Sequence, residues 1–262
     1  MKIAIITGAS SGMGKEFAVQ IASRYRRLQE IWVIARRKDK LDSLAEELEK
    51  QYNVTVRVFA LDLTKESAIE ELKSHLTKAK ADVKILVNSA GFGKIGSFQD
   101  SIRQEQADMV QLNCQSLVSV TSVVLPFMSR NSRIIQLAST AAYLPQPYFA
   151  VYAATKSFVY SFSKSLNEEL KGQEIYVTAV CPGPVKTEFF DVAETHARRA
   201  TYKQFFMYNA KDVVNKALLD SAAGLSESIC GLSMYALKVI CKLVPHSFLL
   251  QLMARFYKRG ES

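Results

Sequence analysis

Short apolar runs, mostly β-branched, alternate along the chain with longer stretches of mixed polarity. The runs are KIAII (2–6), EIWVIA (30–35), VTVRVFA (54–60), KILVN (84–88), RIIQLA (133–138) and IYVTAVC (175–181). Such runs predict buried parallel strands. Between them, helical periodicity predicts helices over 13–27, 38–52, 64–79, 102–128 and 150–171, with Thr64 as the cap of the third. Six rounds of strand and helix predict right-handed crossovers and a doubly wound parallel sheet, a Rossmann-like α/β fold in three α/β/α layers. No internal repeat or composition break occurs before about residue 225, so 1–230 reads as one domain. Residues 231–262 read as an extension of two amphipathic helices split by Pro245. Ligands of such sheets bind at the carboxyl ends of the strands, where strand order reverses. The chemistry is therefore sought just after each strand.

The chain has 262 residues, 48% of them hydrophobic, which excludes a disordered protein. Its net charge of +9 raises nucleic acid, an anionic membrane surface or phosphorylated ligands as partners. There is no run of five like charges and no basic helix interleaved with aromatics, which argues against nucleic acid. From residue 196 onward ten Lys/Arg face four Asp/Glu. Cys114, Cys181, Cys230 and Cys241 lack C-x-x-C spacing and sit among apolar residues, the pattern of buried thiols in a reducing compartment. With no signal-peptide pattern and no run of about 18 apolar residues, the expected location is cytoplasmic. His75, His196 and His246 show no ligand spacing, so no metal is expected.

After the first strand comes TGASSGMG, with Gly8, Gly12 and Gly14 spaced at the opening of a helix and Ser10, Ser11 and Met13 between them. Glycines there admit positive φ and close backbone approach, and a helix N-terminus favours a pyrophosphate. After the second strand, Arg36 and Arg37 stand where an NAD-preferring site would put a carboxylate, and Asp39 comes three residues late. A guanidinium suits a ribose 2′-phosphate, so NADP(H) is favoured over NAD(H). Asp62 and Leu63 follow the third strand where an adenine could rest, although a turn-forming Asp is nearly as good a reading. NSAGFG (88–93) follows the fourth, its small residues suited to passing beneath ribose and nicotinamide. Ser139 ends the fifth strand, thirteen residues before Tyr152, and Lys156 lies one helical turn beyond. These three side chains are expected to converge.

In this ordered set the chain resembles the short-chain dehydrogenase/reductase family, over residues 2 to 190. The matching residues are Thr7-Gly8-x3-Gly12-x-Gly14, the Asp62 turn, Asn88-Ser89-Ala90-Gly91, Asn113, Ser139, Tyr152-x3-Lys156 and Pro182-Gly183-Pro184-x2-Thr187. Ser89 departs from the more common Asn. The resemblance implies hydride exchange between a nicotinamide cofactor and a carbonyl or hydroxyl group. Tyr152 would be the acid or base, its pKa lowered from about 10 by Lys156, which would also hold the nicotinamide ribose. Ser139 would hydrogen-bond the substrate oxygen, and Asn113 would anchor a proton-relaying water. The cofactor set would include Asn88, Ala90, Gly91, Pro182 and Gly183, with Val185 at the nicotinamide amide and Thr187 near the phosphates. A homodimer or homotetramer is implied as well.

The substrate is less specified. The family's lid corresponds to 187–210, and it carries Phe189, Phe190, Tyr202, Phe205, Phe206, Met207 and Tyr208; Tyr143, Leu144 and Phe149 add to this. These aromatics suggest a large apolar substrate, or else simply pack the lid down. A steroid or bile-acid ketone or hydroxyl is favoured, with a 3-oxoacyl thioester as the alternative. A catalytically silent dinucleotide sensor is the reading from another class. The extension, with Lys238, Lys242, Arg255, Lys258 and Arg259 among its apolar residues, has three readings. It packs on the lid or a partner subunit, lies peripherally on a membrane through 231–259, or forms a flexible arm.

Overall fold

The computed structural model describes residues 1–193 and 207–259. Seven parallel strands form one sheet in the order β3-β2-β1-β4-β5-β6-β7. They are β1 (Lys2–Thr7), β2 (Glu30–Ala35), β3 (Thr55–Ala60), β4 (Asp82–Asn88), β5 (Ser132–Leu137), β6 (Ile175–Val180) and β7 (Glu227–Ser228). The helices are α1 (Gly12–Arg24), α2 (Lys38–Gln51), α3 (Glu66–Lys78), α4 (Arg103–Val110), α5 (Leu117–Val124), α6 (Ala150–Leu170), α7 (Phe189–Ala193), α8 (Ala210–Ala222), α9 (Leu232–Leu243) and α10 (His246–Arg259).

Period-two alternation splits the strands between two cores. Ala4, Ile6, Ile31 and Val33 point to one face and pack with Phe17 of α1, Leu41 of α2 and Val213 of α8. Ile3, Ile5, Trp32 and Ile34 point to the other and pack with Leu72 of α3, Val120 of α5 and Leu166 of α6. Each such fully buried Ile or Leu contributes about 1.5–3 kcal/mol relative to exposure. Burial on both faces is what continuous apolar strands require.

Three local features differ from the sequence expectation. Helix α3 starts at Glu66, and Thr64 does not cap it; Thr64 donates its hydroxyl to Asp62 Oδ1 (2.7 Å), whose oxygen also accepts the Thr64 N–H (3.1 Å). The short Asp side chain closes its own turn first. The single helix expected over 102–128 is α4, a π-helical turn at Gln111–Ser116, α5 and a 3-10 turn at Leu125–Phe127. The Ser116 hydroxyl adds a side-chain bond to the Gln111 carbonyl (3.1 Å), five residues back across the same widened turn. Helix α8 and strand β7 had no counterpart in the sequence pattern. Among the described helices, the run Arg103–Phe127 has the length and hydropathy to cross a membrane, yet it packs against β4, α3 and α6.

Candidate active site

Strand order reverses between β1 and β4, and the loops leaving these two strands touch. A Cβ on Gly8 would stand 2.8 Å from the Ala90 backbone, and Gly8 has φ +67°, so a side chain is excluded twice over. Thr7 cements the junction, its hydroxyl oxygen accepting the N–H groups of Ser89 and Ala90 (both 3.1 Å). Gly14 lets α1 begin directly on the loop, since a Cβ there would lie 2.2 Å from the Gly8 carbonyl. The result is a helix N-terminus opening onto a cleft, suited to a pyrophosphate.

The cleft has a volume of about 1120 Å³ and runs along the carboxyl edge of the sheet. Gly8, Ser10, Ser11, Gly12, Met13 and Gly14 form one end, with Arg36, Arg37, Asp62 and Leu63 beside them. Ala90, Gly91, Ser139, Tyr152 and Lys156 line the middle, and Pro182, Gly183, Val185 and Thr187 close over it. These backbone-rich walls, bordered by two arginines, fit a dinucleotide. Burial pushes the Asp62 carboxyl up, but the Thr64 hydrogen bonds and the Arg36 charge outweigh this and leave it below the ordinary range. Arg37 already has partners: Ser10 Oγ (3.0 Å), Ser11 Oγ (2.7 Å) and Glu188 (2.9 Å), whose carboxylate also meets Lys40 (2.8 Å). The Lys40 and Arg37 bonds hold Glu188 down at about 2. Arg36 is exposed beside Arg37 and lines the same corner.

Two expected residues lie behind the wall. Asn88 does not reach the cleft; as the last residue of β4 it points to the α5 face and donates to Thr121 Oγ1 (2.9 Å). Asn113, in the π-turn, lies under Gly91, where an added Cβ would come 2.8 Å from its Oδ1. Its side chain accepts the Phe92 N–H (3.0 Å) and donates to the Phe92 carbonyl (2.9 Å) and Thr155 Oγ1 (3.1 Å). It pins the β4 loop to α6. Thr155 and the wall residue Leu112 were not foreseen.

At the centre, Ser139 and Tyr152 line the cleft together, the serine close enough to draw the phenol's pKa down. Ser139 in turn accepts the Ala141 N–H (3.1 Å). Lys156 is buried, with Nζ 5.6 Å from the Tyr152 ring centroid and donating to the Leu137 carbonyl (2.6 Å). Burial depresses its pKa to about 8. Burial raises Tyr152 to about 12, against the smaller downward pull of Ser139. The expected lowering of the phenol by Lys156 is therefore not found; desolvation wins over a cation that already serves a carbonyl.

Beyond Tyr152 the walls turn apolar. Phe149 stacks on it (centroids 4.2 Å apart, 17°) and Phe189 leans against it (5.4 Å). Leu144, Phe190, Met234, Leu237, Leu249 and Met253 continue the surface. Helices α9 and α10 thus furnish one wall of the cleft. Tyr143 does not: its hydroxyl donates to Glu227 (2.5 Å), which also pairs with Lys238 of α9. A buried phenol takes the polar partner within reach, and β7 supplies one. At the two ends of the segment expected to form a lid, the Tyr208 N–H donates to the Pro184 carbonyl (2.8 Å) and the Lys186 N–H to the Tyr208 carbonyl (3.1 Å). Tyr202, Phe205 and Phe206 lie outside the described residues, as do the side chains of Arg255, Lys258 and Arg259. Of the four cysteines, Cys181 and Cys241 are buried while Cys114 and Cys230 are partly exposed, and all are free.

Comparison with known proteins adds four likenesses. Residues 2–198 match the family described as short chain dehydrogenase. A very-long-chain 3-oxoacyl-CoA reductase of Pyrenophora tritici-repentis is 32% identical over 210 residues, 77% of this chain and 60% of that protein. Human 17-beta-hydroxysteroid dehydrogenase type 3 is 30% identical over 206 residues, 77% of this chain and 65% of that protein. The chain thus spans less than two thirds of the length of either. Among solved structures, a short-chain dehydrogenase from Sphingobium yanoikuyae in complex with NADPH superposes with a TM-score of 0.77 at 26% identity. It covers 100% of this chain and 96% of that one.

Proposed function

The chain belongs to the short-chain dehydrogenase family, and from that premise we propose that it is an NADP(H)-dependent oxidoreductase interconverting a ketone and a secondary alcohol on a large hydrophobic substrate. The observation that carries this reading is the gathering of Ser139, Tyr152 and Lys156 in one cleft, with Lys156 Nζ 5.6 Å from the Tyr152 ring centroid, between a Gly-rich phosphate loop and an aromatic pocket. A nicotinamide held in this cleft would supply or accept the hydride. In reduction, Ser139 donates a hydrogen bond to the carbonyl oxygen and stabilises the charge that develops there. Tyr152 gives that oxygen its phenolic proton, and a phenol raised by burial stays protonated as a general acid at neutral pH. Lys156 holds the ribose and passes a proton back toward the phenol, and Asn113 keeps the Gly91–Phe92 turn in place. Phe149 and Phe189 exclude water and receive the apolar body of the substrate.

The preference for NADP(H) rests on Arg36, exposed at the adenosine end of the cleft. A steroid or bile-acid ketone is the favoured substrate, on the rigid aromatic pocket and the likeness to the hydroxysteroid dehydrogenase. A 3-oxoacyl thioester is the second reading, favoured by the likeness to the 3-oxoacyl-CoA reductase and by the elongated apolar wall that α9 and α10 add. A silent dinucleotide sensor would have no use for Ser139, Tyr152 and Lys156 gathered in one cleft. The free thiols support a reducing, cytoplasmic setting. A homodimer or homotetramer would cover Val110 and Phe158, exposed on α4 and α6. NADPH absorbance with a panel of steroids, bile acids and 3-oxoacyl thioesters tests the assignment. Turnover is expected with a member of one class; oxidation of NADPH with none of them contradicts it.

A further inference from the structure

Helix α9 is apolar on two opposite sides. Met234, Leu237 and Cys241 face the cleft. Leu232, Tyr235, Val239 and Leu243 recur every three or four residues on the other side, where Leu232 is 88% exposed, Leu243 78% and Tyr235 57%. Phe248 of α10 is 62% exposed. A helix apolar all round ordinarily has a cover on both sides, and a cluster of large exposed hydrophobics marks an interaction surface.

The charge of this segment indicates what covers it. From residue 229 to residue 260 the chain carries Lys238, Lys242, Arg255, Lys258 and Arg259 and no Asp or Glu. Lys238 is taken up by Glu227 within the fold, whereas Lys242 is exposed beside the stripe. A second copy of the chain seated on this face by a two-fold axis would set cationic segments against each other. An anionic lipid surface complements both the apolar stripe and the cations.

We infer that the outer face of α9 and the start of α10 docks on an anionic lipid bilayer, so that the apolar end of the cleft opens at the membrane and receives its substrate from lipid. Ile240, which is half-exposed and also lines the cleft, marks the rim where the two surfaces meet. The inference leans on the proposed function only for the apolar nature of what enters the cleft. Docking here is interfacial: the helices present one face to lipid and keep the other on the protein.

The test is co-sedimentation of the full chain with vesicles of phosphatidylcholine, with and without phosphatidylglycerol. Binding is expected to vesicles containing phosphatidylglycerol and to fall at least tenfold without it or at high salt. The double variant Leu232→Ser/Leu243→Ser, on the solvent side, and separately Lys242→Glu, should each weaken binding about tenfold or more while NADPH binding stays unchanged. A chain that stays in the supernatant with every vesicle overturns the inference. So does a concentration-dependent dimer in ultracentrifugation that the double variant abolishes, because the face would then belong to a second copy. Vesicle binding reads this face and NADPH turnover reads the cleft, so failure of one leaves the other standing.

Discussion

At the scale of single residues, the site is governed by desolvation. Lys156 is expected to titrate near 8 because burial disfavours its charge. Above that pH it loses the proton with which it holds the ribose and replenishes Tyr152. The kcat/KM for ketone reduction should therefore fall above about pH 8, measured between about pH 6 and pH 10. Stability should move the other way in that window. A lysine depressed in the folded state leaves the unfolded chain holding more protons between about pH 8 and 10.5, so this residue's contribution to unfolding free energy rises with pH there. A flat activity profile through pH 9 would contradict this assignment. Cofactor choice also belongs to this scale. Arg36→Ala should weaken NADPH at least tenfold more than NADH, read by fluorescence titration, whereas equal loss would remove the basis for preferring NADP(H). Much of this was legible in the sequence: Tyr152, Lys156, Ser139 and the glycines stand in the cleft at their expected places. Asn88 was not, although alternation along β4 already put it on the α5 side with Leu86. The state of the phenol was not legible either, because a spacing of four says nothing about burial.

At the scale of elements, the long strand and helix periods were readable and the irregular turns were not. The π-turn at Gln111–Ser116 adds a residue to one turn of an otherwise apolar-periodic run, too small a slip to show against its neighbours. Strand β7 has two residues, too few to carry a pattern, yet its Glu227 joins Tyr143 to Lys238 and so fastens α9 to the sheet. That clamp is largely buried. Lys238→Met should leave Glu227 with Tyr143 alone, costing about 2 kcal/mol and lowering Tm by roughly 4–8 °C. Calorimetry checks this. A Tm unchanged within a degree would mean that α9 is held by its apolar contacts alone.

At the scale of the whole molecule, one cleft joins three things the chain supplies separately. The reversal of strand order between β1 and β4 makes the phosphate end, α6 brings the acid, and α9 and α10 add an apolar wall beyond the core sheet. Six alternating periods foretold the sheet. The docking of the extension runs through Glu227 of β7, which bonds Tyr143 84 positions earlier and pairs with Lys238 of α9, a link no local pattern records. The most direct test of the account is Tyr152→Phe, compared with the native chain for NADPH affinity and for turnover of a hydrophobic ketone. The account predicts unchanged NADPH binding with turnover reduced by about 10³-fold or more. Turnover that survives the loss of the phenolic hydroxyl would contradict it.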